Sequence, residues 1–282
     1  MSGTLYVVAT PIGNLEDITL RALRVLRDVD VIAAEDTRRS ARLLARHGIA
    51  TKTISFHEHN TRSRVPQLIS RLETGESVAV VTDAGTPGVS DPGLELVKEA
   101  IERGIPVDPI PGASAPLTAL IASGFEMAPF TVYGFAPNRS HARIKWLHKI
   151  AETPHTFSFF EAPHRIQATL RQAADIFGKR PIMVGRELTK IHQEFLRGTA
   201  SEVADHLSEP RGEFTVIVGA NDKLPESSEI RLTDEDVVLE FRQMTETGRG
   251  SRRQMVTELA RRSGRSAKDV YSAIERAKKL GV

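Results

Sequence analysis

Two short stretches crowd acids, bases and hydrogen-bonding side chains directly after apolar runs: Glu35-Asp36-Thr37-Arg38 and His57-Glu58-His59-Asn60. Adjacent acids on an extended backbone point to opposite sides. One of Glu35 and Asp36 therefore faces a cleft, where a carboxylate can take a proton from an attacking hydroxyl. The other is placed to cap the next helix, a role that suits Asp36. Arg38 can bind a phosphate or orient an acid. Histidine is the residue type suited to proton transfer near neutral pH, so His57 is a second candidate base. Asn60 either stands beside it in the site or, like Thr61, caps the following helix. The alternation of His57 and His59 mimics a metal pair, but a third ligand at metal-site spacing is missing, and no metal is expected. These residue types leave the choice of base open. Lys190, His192 and Glu194 fall on an expected loop, either contacting substrate or solvated.

Candidate ligand contacts come from three loops. Ala9-Thr10-Pro11-Ile12-Gly13-Asn14 follows a first apolar run and starts a helix. It lacks the GxGxxG spacing of nicotinamide-binding folds. Thr82-Asp83-Ala84-Gly85-Thr86-Pro87-Gly88-Val89-Ser90-Asp91-Pro92-Gly93 is stiffened by proline, and its glycines let a ligand approach the backbone. Asp83 can accept from a ligand hydroxyl or amino group. No Gly-Lys-Ser/Thr follows, so it is not a phosphate-binding Walker loop. Ile110-Pro111-Gly112-Ala113-Ser114-Ala115 is a turn of small residues that exposes backbone N–H and C=O groups, or equally a tight helix–sheet contact.

The elements that must hold these loops are short β-branched runs alternating with helical patterns. Strands are expected at 5–9, 31–34, 53–56, 78–82 and 107–110, with helices at 20–27, 38–47, 65–72, 94–103 and 115–122. Such alternation predicts an α/β lobe with a largely parallel sheet, over residues 1–128. The chain crosses a Pro/Gly-marked stretch at 128–134. A second α/β lobe then spans 129–220, with strands at 156–160, 182–185 and 214–218 and helices at 143–151, 166–177 and 200–207. The polar, breaker-rich stretch 221–231 is read as a linker. Residues 232–282 are read as a small all-helical domain, each helix opening on a capping box: Thr233 with Asp236, Ser251 with Gln254, Ser266 with Asp269.

Composition narrows the class. The 282 residues contain no cysteine, which excludes a disulfide scaffold, a thiolate metal site and a cysteine nucleophile; a reducing, cytoplasmic setting fits. No basic and apolar leader opens the sequence, and no run approaches about 18 apolar residues, so no membrane span is expected. The net charge of +2 is unevenly spread, because ten Lys and Arg residues between Gly248 and Val282 face three acids.

The stretches ATPIGNLEDIT, AAEDTRRS, SFHEHN, TDAGTPGVSDPG and PIPGASA, continued by FFEAPHR and GRELTK, resemble the tetrapyrrole-methylase superfamily. Specifically, they resemble its bacterial 16S ribosomal RNA (cytidine-2′-O)-methyltransferase branch. The resemblance spans nearly the whole chain and implies a homodimer holding S-adenosyl-L-methionine, the methyl donor, between the two lobes. Carried over by motif, it places the cofactor against Pro11 and Gly13, Asp83, Gly85-Thr86-Pro87-Gly88, Ser114 and Ala115. From the second lobe it adds Phe160, Glu187 and Leu188. The implied substrate is a cytidine ribose in the decoding region of 16S rRNA, within the small ribosomal subunit.

The tail resembles a helix-turn-helix. Ala260 permits a close crossing, Gly264 makes the turn, and Val270 and Ile274 pack inward. Arg252, Arg253, Arg261, Arg262, Arg265 and Lys268 then remain outside to meet phosphates, or to form a solvated bundle. Two other readings stand beside rRNA methylation. One is a tetrapyrrole methyltransferase acting on a corrinoid or sirohaem precursor, which has no need of a basic tail. The other is a DNA-binding regulator with adenosylmethionine as effector, against which the elaborate ligand loops weigh.

Overall fold

Val31–Ala34 and Val78–Val81 contain only small and β-branched apolar residues, and each folds as a strand buried along its whole length. Strands buried on both faces belong to parallel sheets covered on both sides. The computed structural model describes residues 2–88, 93–207, 210–221, 234–246, 251–263 and 266–279. Its first sheet holds β1 (Leu5–Val8), β2 (Val31–Ala34), β3 (Thr53–Ser55), β4 (Val78–Val81) and β5 (Val107–Ile110), in the order β3-β2-β4-β1-β5. Every pairing is parallel.

The crossovers are α1 (Leu20–Asp28), α2 (Thr37–Arg46), α3 (Thr61–Glu73) and α4 (Leu94–Glu102), and α5 (Ala115–Ser123) follows β5. Alternate residues of a strand feed opposite layers: Val31 and Ala33 join Phe56, Leu68 and Leu96, while Ile32 and Ala34 join Leu26, Leu44 and Ile110. Because the strands are parallel, all their carboxyl ends lie along one edge, where ligands of such sheets bind.

The second sheet holds β6 (Phe130–Phe135), β7 (Thr156–Glu161), β8 (Ile182–Arg186), β9 (Glu194–Gly198) and β10 (Phe214–Val218), ordered β6-β7-β10-β8-β9. Only β6 and β7 run parallel. Two of these strands correct the sequence reading. The stretch expected to be a crossing is β6, and Glu194, expected on a loop, opens β9. Both lie at sheet edges and are only partly buried, so neither carries the apolar run of an interior strand.

Helices α6 (Ser140–Ala151), α7 (Ile166–Phe177) and α8 (Ala200–His206) cover one face of this sheet, around Leu147, Phe157, Leu170, Phe177 and Val216. The other face presents Met183 and Ile217 to Ala119 and Leu120 of α5, together with Ile12 and Leu188. Thus α5, which ends the first α/β cycle, is packed on the second sheet and joins the two. Arg180 is buried but satisfied: it donates to the carbonyls of Gly219 (2.6 Å), His155 (2.8 Å) and Ala151 (3.3 Å) and lies over the Phe157 ring.

The chain divides into two compact units, Met1–Ala220 and Asn221–Val282. The second contains α9 (Asp234–Glu246), α10 (Arg252–Ser263) and α11 (Ala267–Lys279). Val237, Val256, Leu259, Val270, Ala273 and Ile274 form its core, with Val270 and Ile274 inward. Ser251 and Gln254 exchange both capping-box bonds. At Ser266 the Asp269 carboxylate meets the hydroxyl instead, its shorter side chain falling one atom short of glutamate. Thr233, Gly264, Arg265 and most of the expected linker lie outside the described residues. No described helix is long and apolar enough to cross a membrane.

Candidate active site

The loops after β1 and β4 are tied together where they leave the sheet. Thr10 N–H donates to the Gly85 carbonyl (2.9 Å), and Gly85 N–H donates to the Thr10 carbonyl (3.0 Å). The Thr10 hydroxyl reaches back to the Thr82 carbonyl at 3.0 Å. Gly85 has φ +87°, and a Cβ there would stand 3.5 Å from Ile12 Cγ2. That backbone region is unfavourable for residues with a side chain. Glycine therefore both makes the turn and leaves the space beside it open.

That space is a cleft of about 490 Å³ between the two sheets, within the range of small-molecule sites. The first sheet's loops contribute Ile12, Glu35, Asp83, Gly85 and Thr86, helix α2 contributes Arg39, and the start of α5 contributes Ser114 and Ala115. Phe160, Glu161, Leu188 and Thr215 close it from the second sheet. The walls are thus mostly apolar or small, with Glu161 and Glu213 on the second-lobe side and a charged group at the carboxyl ends of β2 and β4.

That group is a cross-linked carboxylate pair. Asp83 N–H donates to Glu35 Oε2 (3.1 Å), and Asp36 N–H donates to Asp83 Oδ1 (3.1 Å). Arg39 Nη1 lies 3.3 Å from Asp83 Oδ2. Burial raises the Glu35 carboxyl above its ordinary range, against the opposing pull of the Asp83 N–H. Burial likewise raises Asp83, with Arg39 opposing. Asp36 behaves differently. It caps α2 by accepting from Arg38 N–H (2.8 Å), and its hydrogen bonds from the Arg38 guanidinium hold it well below the usual carboxylate range. Arg38 itself is exposed. Of the two adjacent acids, Glu35 faces the cleft and Asp36 the helix end.

The other expected residues divide similarly. Asp83, Gly85, Thr86, Ser114, Ala115, Phe160 and Leu188 line the cleft together. Pro11 and Pro87 are buried beside it without lining it, and Gly88 is exposed. Gly13 packs against the second lobe, where an added Cβ would meet Lys190 Cγ at 2.6 Å. Glu187 faces away into a bond with Lys190 Nζ (2.8 Å) and with Glu213 N–H (2.9 Å). His57 and Asn60 do not line the cleft. The Asn60 amide oxygen accepts from His57 N–H (2.9 Å) and its NH₂ donates to the Ser55 carbonyl (3.2 Å), which organises the turn into α3. In the helical unit, Arg252 pairs with Glu275 and lies over Tyr271, while Arg253 and Lys268 are exposed. The side chains of Arg261 and Arg262 lie outside the described set, as does Arg265. No group of three metal-ligating side chains occurs among the described residues.

Sequence reasoning passed over Arg39, Glu161 and Thr215. Arg39 follows Arg38 directly, and residue type alone does not say which of two neighbours faces the cleft. Glu161 and Thr215 are strand residues, brought near each other only by the antiparallel pairing of β7 and β10, in which Glu161 lies opposite Phe214 and Thr215 opposite Phe160.

The chain belongs to the family Tetrapyrrole (Corrin/Porphyrin) Methylases, whose model matches residues 4–204, the stretch that holds both sheets up to α8 and most of the cleft. Within that family it is similar to proteins called ribosomal RNA small subunit methyltransferase I. That of Halalkalibacterium halodurans is 49% identical over 230 residues, covering 81% of this chain and 80% of the relative. That of Micromonospora olivasterospora is 46% identical over 265 residues, covering 92% and 82%. Among solved structures, uroporphyrin-III C-methyltransferase from Thermus thermophilus, complexed with S-adenyl homocysteine, shares the fold. Its TM-score is 0.54 at 19% identity, covering 77% of this chain and 97% of the other.

Proposed function

We propose that this chain methylates small-subunit ribosomal RNA with S-adenosylmethionine as donor, at the 2′-hydroxyl of a cytidine ribose in the decoding region. The observation that carries the reading is the 46–49% identity to ribosomal RNA small subunit methyltransferases, extending over 81–92% of this chain. The cleft supports it by size and by its mixture of apolar walls, open backbone and carboxylates.

S-adenosylmethionine supplies an electrophilic methyl group on a sulfonium, open to in-line attack. Gly85, Ser114 and Ala115 bring backbone and small side chains against the donor, and Asp83 accepts from its hydroxyl or amino hydrogens. Ile12, Phe160 and Leu188 give apolar cover and exclude water. Glu35 takes the proton of the attacking hydroxyl; its raised pKa makes it a stronger base than an ordinary carboxylate. Holding the hydroxyl in line with the methyl carbon contributes several kcal/mol on the order of measured effective molarities. The working form is a cytoplasmic homodimer. A second copy suits the exposed Leu117 and Ile121 of α5 and Val132 of the edge strand β6. Arg253 and Lys268 of the helical unit add phosphate contacts.

The test is labelled S-adenosylmethionine with small ribosomal subunits from cells lacking the enzyme. Label is expected in 2′-O-methylcytidine after digestion. Unlabelled RNA, in the presence of a control enzyme that labels the same particles, would refute the reading. A second expectation concerns Gly85→Val. A β-branched residue at positive φ costs about 1–2 kcal/mol, and here it also narrows the cleft. Donor affinity should fall by at least about 10-fold, the equivalent of 1.4 kcal/mol. Gly104→Val, also at positive φ but with nothing within 4 Å of its Cβ, should lower stability and leave donor affinity unchanged in calorimetric titration.

A further inference from the structure

Helix α2 reads Thr-Arg-Arg-Ser-Ala-Arg-Leu-Leu-Ala-Arg, with four arginines and no acid. Ser40, Leu43 and Leu44 are buried, so the arginines occupy the outer surface. Arg38, Arg42 and Arg46 recur every four residues and therefore form one stripe, with about 6 Å of rise between successive members. Arg38 is paired with Asp36 and Arg39 with Asp83. Arg42 and Arg46 have no ion-pair partner among the described residues.

Helix α2 leads from the cleft into a second, open groove. Arg39 lines the cleft and Arg46 lines the groove. Two other segments make the same passage: Ile12 lines the cleft and Asn14 to Glu16 the groove, and Leu188 lines the cleft and Thr189 to His192 the groove. The groove is thus the continuation of the cleft along three pieces of chain. Its second-lobe wall is a held turn. Glu187 and Thr189 have positive φ, Thr189 accepts from Asn14 N–H (2.9 Å), and Lys190 is fixed by Glu187 and Glu213. At its apex Ile191 is 97% exposed, between Lys190 and His192. Among the described residues Glu16 is the one acid on the groove lining.

We infer that α2 and the turn 189–192 form the track on which the single strand flanking the target nucleotide lies, with Arg42 and Arg46 on its phosphates and Ile191 against an unstacked base. The inference rests on the RNA reading above and adds to it a surface outside the basic tail. A single strand fits because sequence-specific recognition of RNA targets unpaired segments, whose bases can be splayed out against side chains. Unpaired cations beside an apolar tip match a backbone with exposed base faces.

The test is the double variant Arg42→Gln/Arg46→Gln in the full chain, with small ribosomal subunits as substrate over a range of salt. Each phosphate contact to a single strand contributes a slope of about 0.7 in log affinity against log salt. Losing two should reduce the slope by about 1.4 and raise KM roughly 20-fold near 0.1 M salt. The kcat and the affinity for S-adenosylmethionine should stay at wild-type values. Arg42→Lys/Arg46→Lys should restore most of the KM. A merely structural role for Arg46 at the end of α2 would lower Tm without moving the salt slope, and that result would overturn the inference. So would a wild-type KM and slope in the Gln variant while the wild-type protein methylates normally, which leaves the RNA reading standing. A wild-type protein that fails to methylate RNA would remove both.

Discussion

Glu35→Gln is expected to slow methyl transfer by about 10²–10⁴-fold, the usual contribution of a positioned base, with donor affinity within a few-fold of wild type. The amide keeps an oxygen to accept the Asp83 N–H, so the cross-link between the β2 and β4 ends survives. Only the capacity to take a proton is lost. In the wild-type protein kcat/KM should rise with pH through the raised Glu35 pKa, and that limb should vanish in the variant. Stability should move the other way. A carboxyl whose folded pKa is raised contributes stability fully below its unfolded pKa and loses it as pH rises through the folded pKa. At neutral pH the ionised, half-buried Glu35 burdens the fold, so the variant should melt higher than wild type, and the difference should shrink in acid. A variant that is slow and also unstable at neutral pH would point to a structural role. A variant with undiminished rate would place the base elsewhere.

Glu161→Ala should cost about 3–5 kcal/mol of stability, because removing one partner of a buried ion pair strands the other. Glu161 is 1% exposed. Its Oε1 accepts from Arg165 Nη2 (2.7 Å), Arg165 Nε (2.9 Å) and Ala162 N–H (2.7 Å). Its Oε2 accepts from the Thr169 hydroxyl at 2.6 Å. Deletion leaves a hydroxyl and a backbone N–H without their acceptor, and a largely buried guanidinium with the Asn138 amide oxygen in place of a carboxylate. At ~2–4 °C per kcal/mol for a unit of this size, Tm should fall on the order of 10 °C. Because the pair is costly to bury even when intact, Glu161→Met with Arg165→Met should recover much of the loss. Thermal denaturation of the single and double variants decides this. A single variant within about 1 kcal/mol of wild type would show that water replaces the carboxylate at no great cost.

The interior of the first sheet could be read residue by residue. Val31–Ala34 and Val78–Val81 carry the apolar signature of strands covered on both faces, and the structure pairs them with each other. The edge strands of the second sheet could not. β6 carries Gly134 and follows Pro129, and β9 begins with Glu194 and contains Arg197, since one side of each meets solvent. At the site, Glu35 was visible because an acid directly after a parallel strand must sit at the ligand edge. His57 satisfied the same rule after β3, but β3 lies at one end of the sheet, and the cleft lies towards the other, over β2, β4, β1 and β5. Strand order decides that difference, and strand order is set by packing between segments distant in the chain.

The central position of β1 has a consequence for the chain as it is made. Leu5 pairs with Val78 on one side and Val107 on the other. At ~5–20 residues per second, roughly 4–14 s pass between the synthesis of Leu5–Val8 and that of the start of β4. The neighbours β2 and β3 are both complete by Ser55, whereas Leu5–Val8 has neither of its partners until β4 has been made. For that interval the nascent chain carries an apolar strand without its partners, the kind of surface that makes a partly made protein prone to aggregate.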